Sequence, residues 1–345
     1  MKLAASSVKK IAVFRTLQLG DMLCAIPAIR SLRTAYPAAH ITLLGLPWAK
    51  SLITRFPDYF DEFIHFPGYP GLPEQTFNSH EFLEFLSVTQ RESYDLALQM
   101  QGNGTLVNPM MELFGAAHTA GFFYKDVYYP DNGLFVEYPE HCHEIERHLK
   151  LMEFLGLETQ GSYLEFPLYE PDYAELTALG LPITAKEYVC VHPGSRGAWR
   201  QWPPEHFATL ADYCAGAGLK VLVTGTRDEL DLVTQVTTLM QHEAIVVAGK
   251  TSLGAMGALI ERASLLISNC TGVSHIAAAV KTPGIVISMD GEPERWGPLN
   301  HDLHRTIDWT KTDDFSYVMK ELQYLLAKHG KHQLRNDVTG IIAAS

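Results

Sequence analysis

Residues 264–280 read SLLISNCTGVSHIAAAV, in which an apolar run passes through a short polar joint into a segment of small residues. The run SLLISN predicts a buried strand, and GVSHIAAAV predicts a helix that begins at the joint. In a parallel sheet such a turn lies at the carboxyl end of the strand, where ligands bind. The hydroxyl, thiol and imidazole groups at this turn therefore indicate a binding site.

The same alternation of short apolar strands and amphipathic helices runs through both halves of the chain. Strands are predicted at 9–15, 40–46, 60–66 and 94–100, and again at 188–194, 220–225, 244–249, 264–269 and 283–289. Helical segments between them are typical of a parallel sheet covered on both faces. The sequence therefore predicts an α/β fold of two Rossmann-like, doubly wound domains that face each other across a cleft, joined by a connection at 158–185.

The composition and the charge narrow the class of protein. The chain has 345 residues, of which 47% are apolar, and this is enough for two domains with large cores. A net charge of −12 argues against a nucleic-acid partner, which needs a basic face. The five scattered cysteines form no CxxC pair and predict free thiols. Since no apolar run fits a signal peptide or a membrane span, we expect a cytoplasmic protein.

The joint at 269–275 has the features of an anion site. If a helix begins at Gly272, the amide groups of Thr271, Gly272 and Val273 lie at its N-terminus, where unpaired N–H groups and the helix dipole favour a phosphate. Gly272 lets a ligand approach the backbone, and His275 follows one turn later. The alternative is structural, with Thr271 as the helix cap and His275 as a satisfied polar group in the core.

A second polar turn follows the strand predicted at 188–194. The segment HPGSRGAWRQWPP carries Ser195 and two arginines, Arg196 and Arg200. Guanidinium groups donate paired hydrogen bonds that match phosphate oxygens, so this turn predicts a diphosphate site. The alternative is a solvated loop that Trp202 anchors by packing.

A carboxylate, Asp21, stands where the first predicted strand passes into a helix predicted at 22–36. As a functional group it is a candidate general base, directed at the cleft from the N-terminal domain. The alternative is that it caps the helix. In either case the helix N-terminus is expected to lower the pKa of this carboxylate, which weakens it as a base.

Two further segments are candidates for contact with a bound ligand. Asn269 and Cys270 end the strand quoted above. The segment DGEPERWGPL (290–299) follows the last predicted strand and is suited to close on a base, a ribose or a sugar. Its candidate side chains are Glu294, Arg295 and Trp296.

No metal or cofactor motif accompanies these turns. The segment EHCHEIERH (140–148) is rich in metal-binding side chains, but the spacing of His143 and His148 is poor for a shared ion. The sequence also lacks GxGxxG after the first strand, a P-loop, a GxSxG elbow and an Asp-x-Asp clamp. We therefore expect neither a metal ion nor a cofactor, with arginines and backbone dipoles neutralising the diphosphate.

The order of these segments resembles glycosyltransferase family 9, the family of the ADP-heptose:lipopolysaccharide heptosyltransferases. The matching segments are LGDMLCAIPAIRSLR, HITLLG, HPGS…RQWPPEHFA, VLVTGTRDE, AGKTSLGAMGALIERASLLISNCTGVSHIAAAVKTP and ERWGPL. They run from about residue 9 to about residue 300. Their order and spacing carry the resemblance more than any single motif does.

The resemblance implies a GT-B architecture and an inverting, metal-independent transfer with Asp21 as the base. The implied parts are an acceptor-side domain at 1–175, a nucleotide-sugar domain at 176–315, and a helix at 316–345 that crosses back to the first domain. Thr271, Gly272 and His275 match the family's donor-phosphate segment, and Arg200 stands where the family usually has Lys.

One position departs from the family pattern. The family's Asp before Thr-Gly is Cys270 here, and a thiol is a poor acceptor for the hydroxyl groups of a donor sugar. The donor therefore need not be ADP-heptose.

The predicted function is transfer of a heptose-type or other sugar from a nucleotide-diphosphate donor to a cell-envelope saccharide or lipid-linked acceptor. Such an acceptor implies peripheral contact with the inner face of the cell membrane, for which the aromatic stretch FFYKDVYY (122–129) is the candidate. Two alternatives remain open. One is a nucleotide-sugar epimerase on the same fold, and the other is a sugar-nucleotide-binding protein without catalysis.

Overall fold

The computed structural model describes residues 2–329, and the chain divides between Pro167 and Leu168 into two compact units. The strands of the first unit are β1 (Lys10–Phe14), β2 (His40–Gly45), β3 (Glu62–His65), β4 (Leu96–Gln99), β5 (His118–Phe123) and β6 (Phe135–Glu137). Its helices are α1 (Leu19–Ala35), α2 (Ser51–Arg55), α3 (Ser79–Glu92), α4 (Val107–Glu112) and α5 (Glu144–Phe154). The strands pair in parallel in the order β3-β2-β1-β4-β5-β6, which is the Rossmann order and confirms the predicted α/β fold of this unit.

The centre of this sheet explains the apolar runs in the sequence. Ile11 of β1 is in register with Ile41 of β2 and with Leu96 of β4. All three side chains are buried. Strands covered by helices on both faces need apolar side chains at successive positions, and this gives continuous runs rather than alternation.

The first sheet extends into a region where the sequence pattern predicted no strand. Residues 116–140 contain β5 and the short edge strand β6. A side chain at Gly121 in β5 would lie 2.7 Å from the side chain of Gln99 in β4, so this position requires glycine. Glycine weakens the usual strand signature, which explains why the strand was missed.

The second unit repeats the same topology. Its strands are β7 (Tyr188–His192), β8 (Lys220–Val223), β9 (Ile245–Val246), β10 (Leu265–Asn269), β11 (Gly284–Ser288) and β12 (His304–Asp308). Its helices are α6 (Glu170–Ala178), α7 (Pro204–Gly216), α8 (Leu230–Leu239), α9 (Leu253–Arg262), α10 (Gly272–Ala279), α11 (Pro293–Trp296) and α12 (Phe315–His329). The parallel order is β12-β11-β10-β7-β8-β9, and the five strands predicted here are present. The edge strand β12 reads HRTID and was missed because it lacks an apolar run.

The core of the second unit is built around Trp202. This side chain is fully buried and packs edge-on against Phe207 and Trp309, with ring centroids 5.2 Å apart in both pairs. The last helix, α12, adds Val318, Leu322 and Leu325 to the same core. The return of residues 316–345 to the first domain stays a prediction, and residues 330–345 lie outside the described residues.

The stretch predicted as a connection, 158–185, contains a helix. In α6 the Tyr173 hydroxyl donates to Glu261 of α9 at 2.8 Å, and Arg262 lies over the Tyr173 ring. The compact second unit therefore begins before the predicted boundary at 175, because α6 packs on α9.

Two further predictions concern the membrane and the cysteines. No helix within residues 2–329 combines the length and the apolar character that crossing a bilayer requires. The five cysteines all lie in this part of the chain and none is in a disulfide, which confirms the predicted free thiols.

Candidate functional site

Asp21 lies in the first turn of α1, which begins at Leu19 and not at the predicted residue 22. Gln18 is the N-cap residue, and its backbone N–H donates to Asp21 Oδ2 at 3.3 Å as part of a capping box. Asp21 is thus the third residue of the helix rather than its N-cap. Its side chain reaches back over the turn and remains partly exposed.

The main chain at Asp21 is held by Arg15, the residue after β1. Arg15 donates from Nε and Nη2 to the Asp21 carbonyl oxygen at 2.9 and 2.7 Å. Its Nη1 donates to the carbonyl oxygen of Met100, which follows β4. Because β1 and β4 are neighbours, Arg15 clamps the β1–α1 turn at the point where the strand order reverses. Rossmann-like sheets bind their ligands at this point.

The pKa of Asp21 is raised from its ordinary value, mainly because burial disfavours the charged form. The charge of Arg15 lowers this pKa and the charge of Glu144 raises it. This result corrects the expectation that the helix N-terminus would lower the pKa, because desolvation outweighs the nearby donors. A carboxylate with a raised pKa is the stronger base once it is ionised.

The polar joint in the second unit has the predicted local structure. β10 ends at Asn269, and α10 begins at Gly272. Thr271 is the N-cap residue in an extended conformation, but its side chain makes no capping bond, contrary to the structural alternative. Its carbonyl oxygen accepts from the backbone N–H and the hydroxyl of Ser274, at 3.0 and 2.7 Å. The amides that precede Ser274 have no acceptor within a helix, so they suit an anion.

His275 occupies the first turn of α10 and is 3% exposed. The structure therefore places it beside the predicted phosphate site, but mostly within the protein. A contact between His275 and a donor stays a prediction.

Asn269 joins the two predicted donor turns. Its side chain is fully buried, and its Nδ2 donates to the carbonyl oxygens of Pro193 and Gly194 at 2.6 and 3.3 Å. Its Oδ1 accepts from the backbone N–H of Trp202 at 3.0 Å. One amide thus ties both ends of the 193–202 loop to the end of β10. The structure therefore brings the two turns together, although the predicted contact of Asn269 with the donor stays untested.

The loop places its polar residues differently. Arg196 is exposed, while Ser195 is buried and its carbonyl oxygen accepts from the Gln201 side chain at 3.1 Å. Arg200 forms an ion pair with Asp290, the residue that follows Met289 after β11. Asp290 also accepts from the Ser288 hydroxyl at 2.7 Å, so the direction of Arg200 is set by a fixed partner.

Asp290 is a site residue that the sequence reasoning missed. The sequence did contain an indication of it, because Asp290 follows the end of a buried parallel strand by two residues, much as Cys270 follows the end of β10 by one. Polar residues just beyond the carboxyl ends of neighbouring strands meet at one edge of the sheet.

Glu229 was missed as well. Its carboxylate accepts from the backbone N–H of Thr226 at 2.7 Å and lies 4.0 Å from His192 Nε2. A side chain at Gly194 would collide with this carboxylate, so any residue larger than glycine there must displace Glu229. The sequence pattern that could have identified Glu229 is the capping box Thr-x-x-Glu in TGTRDE.

A cavity of about 400 Å³ lies beside this loop and is bordered by Gln201, Trp202 and Glu229. Asp228 and Asp231 make its lining acidic. Carboxylates repel a diphosphate but accept hydrogen bonds from hydroxyl groups. This cavity therefore suits an uncharged polar group better than a phosphate.

The loop predicted at 290–299 forms the short helix α11. Glu292 accepts from Arg295 at 3.2 Å and from the Trp296 indole at 3.3 Å, and Arg295 lies over the Trp296 ring. Glu294 is exposed. These contacts are internal to the loop, and a contact with the nucleotide or the sugar stays a prediction.

Cys270 is buried between the two donor turns. Burial raises the pKa of its thiol to about 12, and the nearby Asp290 adds to this. The side chain is therefore an uncharged thiol at neutral pH. An Asp at this position, as in the family pattern, would instead add a negative charge.

The sequence profile of glycosyltransferase family 9 (heptosyltransferase) matches residues 86–324. This range includes most of the second unit and covers more than half of the chain. The chain belongs to glycosyltransferase family 9. It is a glycosyltransferase, as predicted, although Asp21 lies outside the matched range and its role depends on the geometry given above.

The relatives of this family 9 enzyme support the same assignment. Lipopolysaccharide heptosyltransferase 3 of Escherichia coli (strain K12) is 28% identical over 302 residues, which are 82% of this chain and 83% of the relative. The crystal structure of the glycosyl transferase family 9 from Veillonella parvula DSM 2008 matches with a TM-score of 0.76 at 21% identity. The match covers 95% of this chain and 99% of the Veillonella chain. The E. coli ADP-heptose lps heptosyltransferase II has a TM-score of 0.73 at 20% identity, with coverages of 93% and 99%. The structural matches confirm the predicted α/β GT-B fold.

The segment 140–148 does not form a metal cluster. No group of three or more His, Cys, Asp or Glu side chains in residues 2–329 is arranged to hold a metal ion. Glu144 instead bonds with Arg147 and with Arg15, the residue that holds Asp21.

Proposed function

We propose that this family 9 enzyme transfers a sugar from a nucleotide-diphosphate donor with inversion and without a metal ion, with Asp21 as the base. The observation that carries this proposal is the setting of Asp21, a partly exposed carboxylate at the strand-order reversal with a raised pKa. Asp21 removes the proton of the acceptor hydroxyl as that oxygen attacks the anomeric carbon. The nucleotide diphosphate leaves from the opposite face of the sugar, so the configuration inverts.

The second unit binds the donor in this proposal. The first-turn amides of α10, from Thr271 onward, and the guanidinium of Arg200 stabilise the charge on the leaving diphosphate. Arg200 is already oriented by Asp290, so little reorganisation is needed when the donor binds. Ser195, the exposed Arg196 and His275 complete the proposed phosphate contacts.

The proposed donor is an ADP-activated sugar of the heptose type, and the proposed acceptor is a saccharide of the lipopolysaccharide kind. The support is that the relatives are named lipopolysaccharide heptosyltransferases. The thiol of Cys270 accepts hydrogen bonds weakly, so a donor that differs from ADP-heptose is the alternative to test. A thermal-shift screen with ADP-, GDP-, UDP- and dTDP-sugars tests this, since a ligand that binds only the folded state raises the Tm.

The decisive variant is Asp21→Asn, with the exposed Asp58→Asn of the same unit as the matched control. Release of ADP from ADP-heptose is measured with heptose-deficient lipopolysaccharide as acceptor. Loss of a general base is expected to lower kcat by about 10²- to 10⁴-fold while the ADP affinity stays unchanged. Unchanged turnover in Asp21→Asn overturns the assignment of the base.

Four other outcomes test the rest of the proposal and its two alternatives. A product with the donor's anomeric configuration contradicts inversion, and a rate that falls in EDTA contradicts metal independence. Isomerised sugar from donor alone identifies an epimerase. Donor binding without turnover in the native enzyme, for every sugar and acceptor tried, identifies a binding protein.

We also propose that the enzyme meets its acceptor at the inner face of the membrane. The support comes from the 122–129 stretch, where Tyr124 and Tyr128 are 39% and 54% exposed. Phe122 is buried, and Phe123 stacks on Tyr129 with centroids 4.1 Å apart. Co-sedimentation with anionic vesicles should fall when Tyr124 and Tyr128 are both replaced by Ser, and unchanged binding would contradict the proposal.

A further inference from the structure

The segment 140–148 contributes a buried charged face to the first unit. Glu144, Arg147 and His148 lie in α5 and are all buried. α5 packs along α1, the helix that carries Asp21. Charged side chains are rarely buried unless they are paired, so this face requires an explanation.

Within this face, Glu144 bridges two arginines. Its Oε2 bonds with Arg147 Nη1, and its Oε1 lies 3.4 Å from Arg15 Nη2. The Nε2 atom of His148 is 3.3 Å from the same Oε1. Arg147 is itself locked, because it donates to the carbonyl oxygens of Pro139 and Glu140 at 3.1 Å.

Arg15 connects this face to the proposed base. The guanidinium that contacts Glu144 is the one that holds the Asp21 carbonyl oxygen with two hydrogen bonds. The path from Glu144 to Asp21 therefore has two direct contacts, both within the first unit. Moving Arg15 would release the first turn of α1.

The positive and negative charges of this face, counted together with Asp21, are equal in number. Burial and the charge of Arg15 lower the pKa of His148 to about 4, so His148 is neutral near pH 7. Although burial opposes its ionisation, Glu144 has a pKa well below its ordinary value because of His148, Arg15 and Arg147. The two arginines are then matched by two carboxylates, those of Glu144 and Asp21.

We propose that Glu144 is a positioning residue for Asp21. Its contact with Arg15 fixes the guanidinium that holds the Asp21 main chain, and its negative charge offsets the positive charge beside the Asp21 carboxylate. This inference rests on the proposed role of Asp21 as the base. Glu144 itself does not touch the substrate in this scheme.

The test compares Glu144→Gln with Glu146→Gln, an exposed carboxylate on the same helix. The pH profile of kcat/KM is measured with ADP-heptose and heptose-deficient lipopolysaccharide, and its acid limb reports the ionisation of Asp21 in the free enzyme. Glu144→Gln removes a charge that raises the Asp21 pKa, so the acid limb should move to lower pH. A displaced base should also reduce kcat by about 10- to 100-fold. Glu146→Gln should resemble the native enzyme in both respects.

Glu144→Asp separates position from charge and covers the case in which Glu144→Gln does not fold. The shorter side chain keeps the charge but loses reach to Arg15. We expect its kcat to fall while the acid limb stays near the native pH. A native kcat in Glu144→Asp, or a Glu144→Gln enzyme whose rate falls by one factor at every pH, overturns the inference.

A measurement without substrates distinguishes this inference from the proposed function. Amide hydrogen exchange at residues 16–22 should become faster in Glu144→Gln and remain native in Glu146→Gln. Native exchange there, or equally faster exchange throughout the chain, contradicts the positioning role. If Asp21→Asn keeps its turnover while residues 16–22 do loosen, the base assignment fails and the structural link survives.

Discussion

Replacing Asn269 by Ala should destabilise the second unit and weaken donor binding together. The side-chain amide of Asn269 bonds with both the beginning and the end of the 193–202 loop. Without it, the loop loses its attachment to the end of β10, immediately before the proposed phosphate site. Stability and affinity should therefore change in the same variant.

The size of the effect follows from the bonds that are lost. Asn269→Ala removes bonds of 2.6 and 3.0 Å and a longer one of 3.3 Å, all in a fully buried position. Each buried group left without a partner costs about 1–3 kcal/mol, so we expect a loss of about 2–6 kcal/mol from the two short bonds. The Kd for ADP should rise by at least tenfold, which corresponds to about 1.4 kcal/mol of lost preorganisation.

Urea unfolding followed by tryptophan fluorescence measures the stability. Four of the five tryptophans, all except Trp48, belong to the second unit, so the signal reports mainly this unit. Asn300→Ala is the control, because Asn300 also bonds with backbone N–H groups but is exposed, and its loss should be about 0.5 kcal/mol. If Asn269→Ala unfolds at the native urea concentration and binds ADP with the native Kd, the coupling of the two turns through Asn269 is wrong.

Three further predictions concern other parts of the chain. Asp21→Asn should raise the free energy of unfolding at neutral pH. The raised pKa of Asp21 means that the folded state holds the proton more tightly than the unfolded chain, so ionised Asp21 disfavours folding above that pKa. The gain in stability should therefore vanish below pH 3.8, where Asp21 is protonated in both states. Urea unfolding at both pH values checks this, and a less stable variant at neutral pH contradicts it. Gly194→Ala should cost about 1–3 kcal/mol because the new methyl group meets the Glu229 carboxylate, whereas Gly216→Ala meets nothing within 4 Å; equal stabilities would refute the steric argument. Of the five cysteines, all within residues 2–329, only Cys142 is not buried, so iodoacetamide should modify it first in the native protein, as mass spectrometry can show.

Local patterns in the sequence were sufficient for the second unit's turns. The end of β10 and the start of α10 lie within a few residues of each other, and the strand, the polar joint and the small-residue helix are each recognisable alone. The same holds for the polar loop at 193–202. Edge strands such as β12 were missed because an edge position does not require an apolar run.

The contacts that define the site were not predictable in this way. Asn269 meets Trp202 across 67 positions of the chain, and Arg15 meets Glu144 across 129. The segment 140–148 was interpreted only as an unconvincing metal site, since nothing in it indicates an arginine near the first strand. Its role became visible once α5 was seen to pack on α1.

The sequence by itself determined the alternation of strands and helices, the two doubly wound halves and the places where polar groups end the strands. These features depend on the spacing of apolar residues and on turn chemistry, both of which are local. The tertiary structure decided which polar groups meet and the direction in which the pKa of Asp21 shifts. That direction depends on burial and on charges from distant segments, and neither is encoded in the residues next to Asp21.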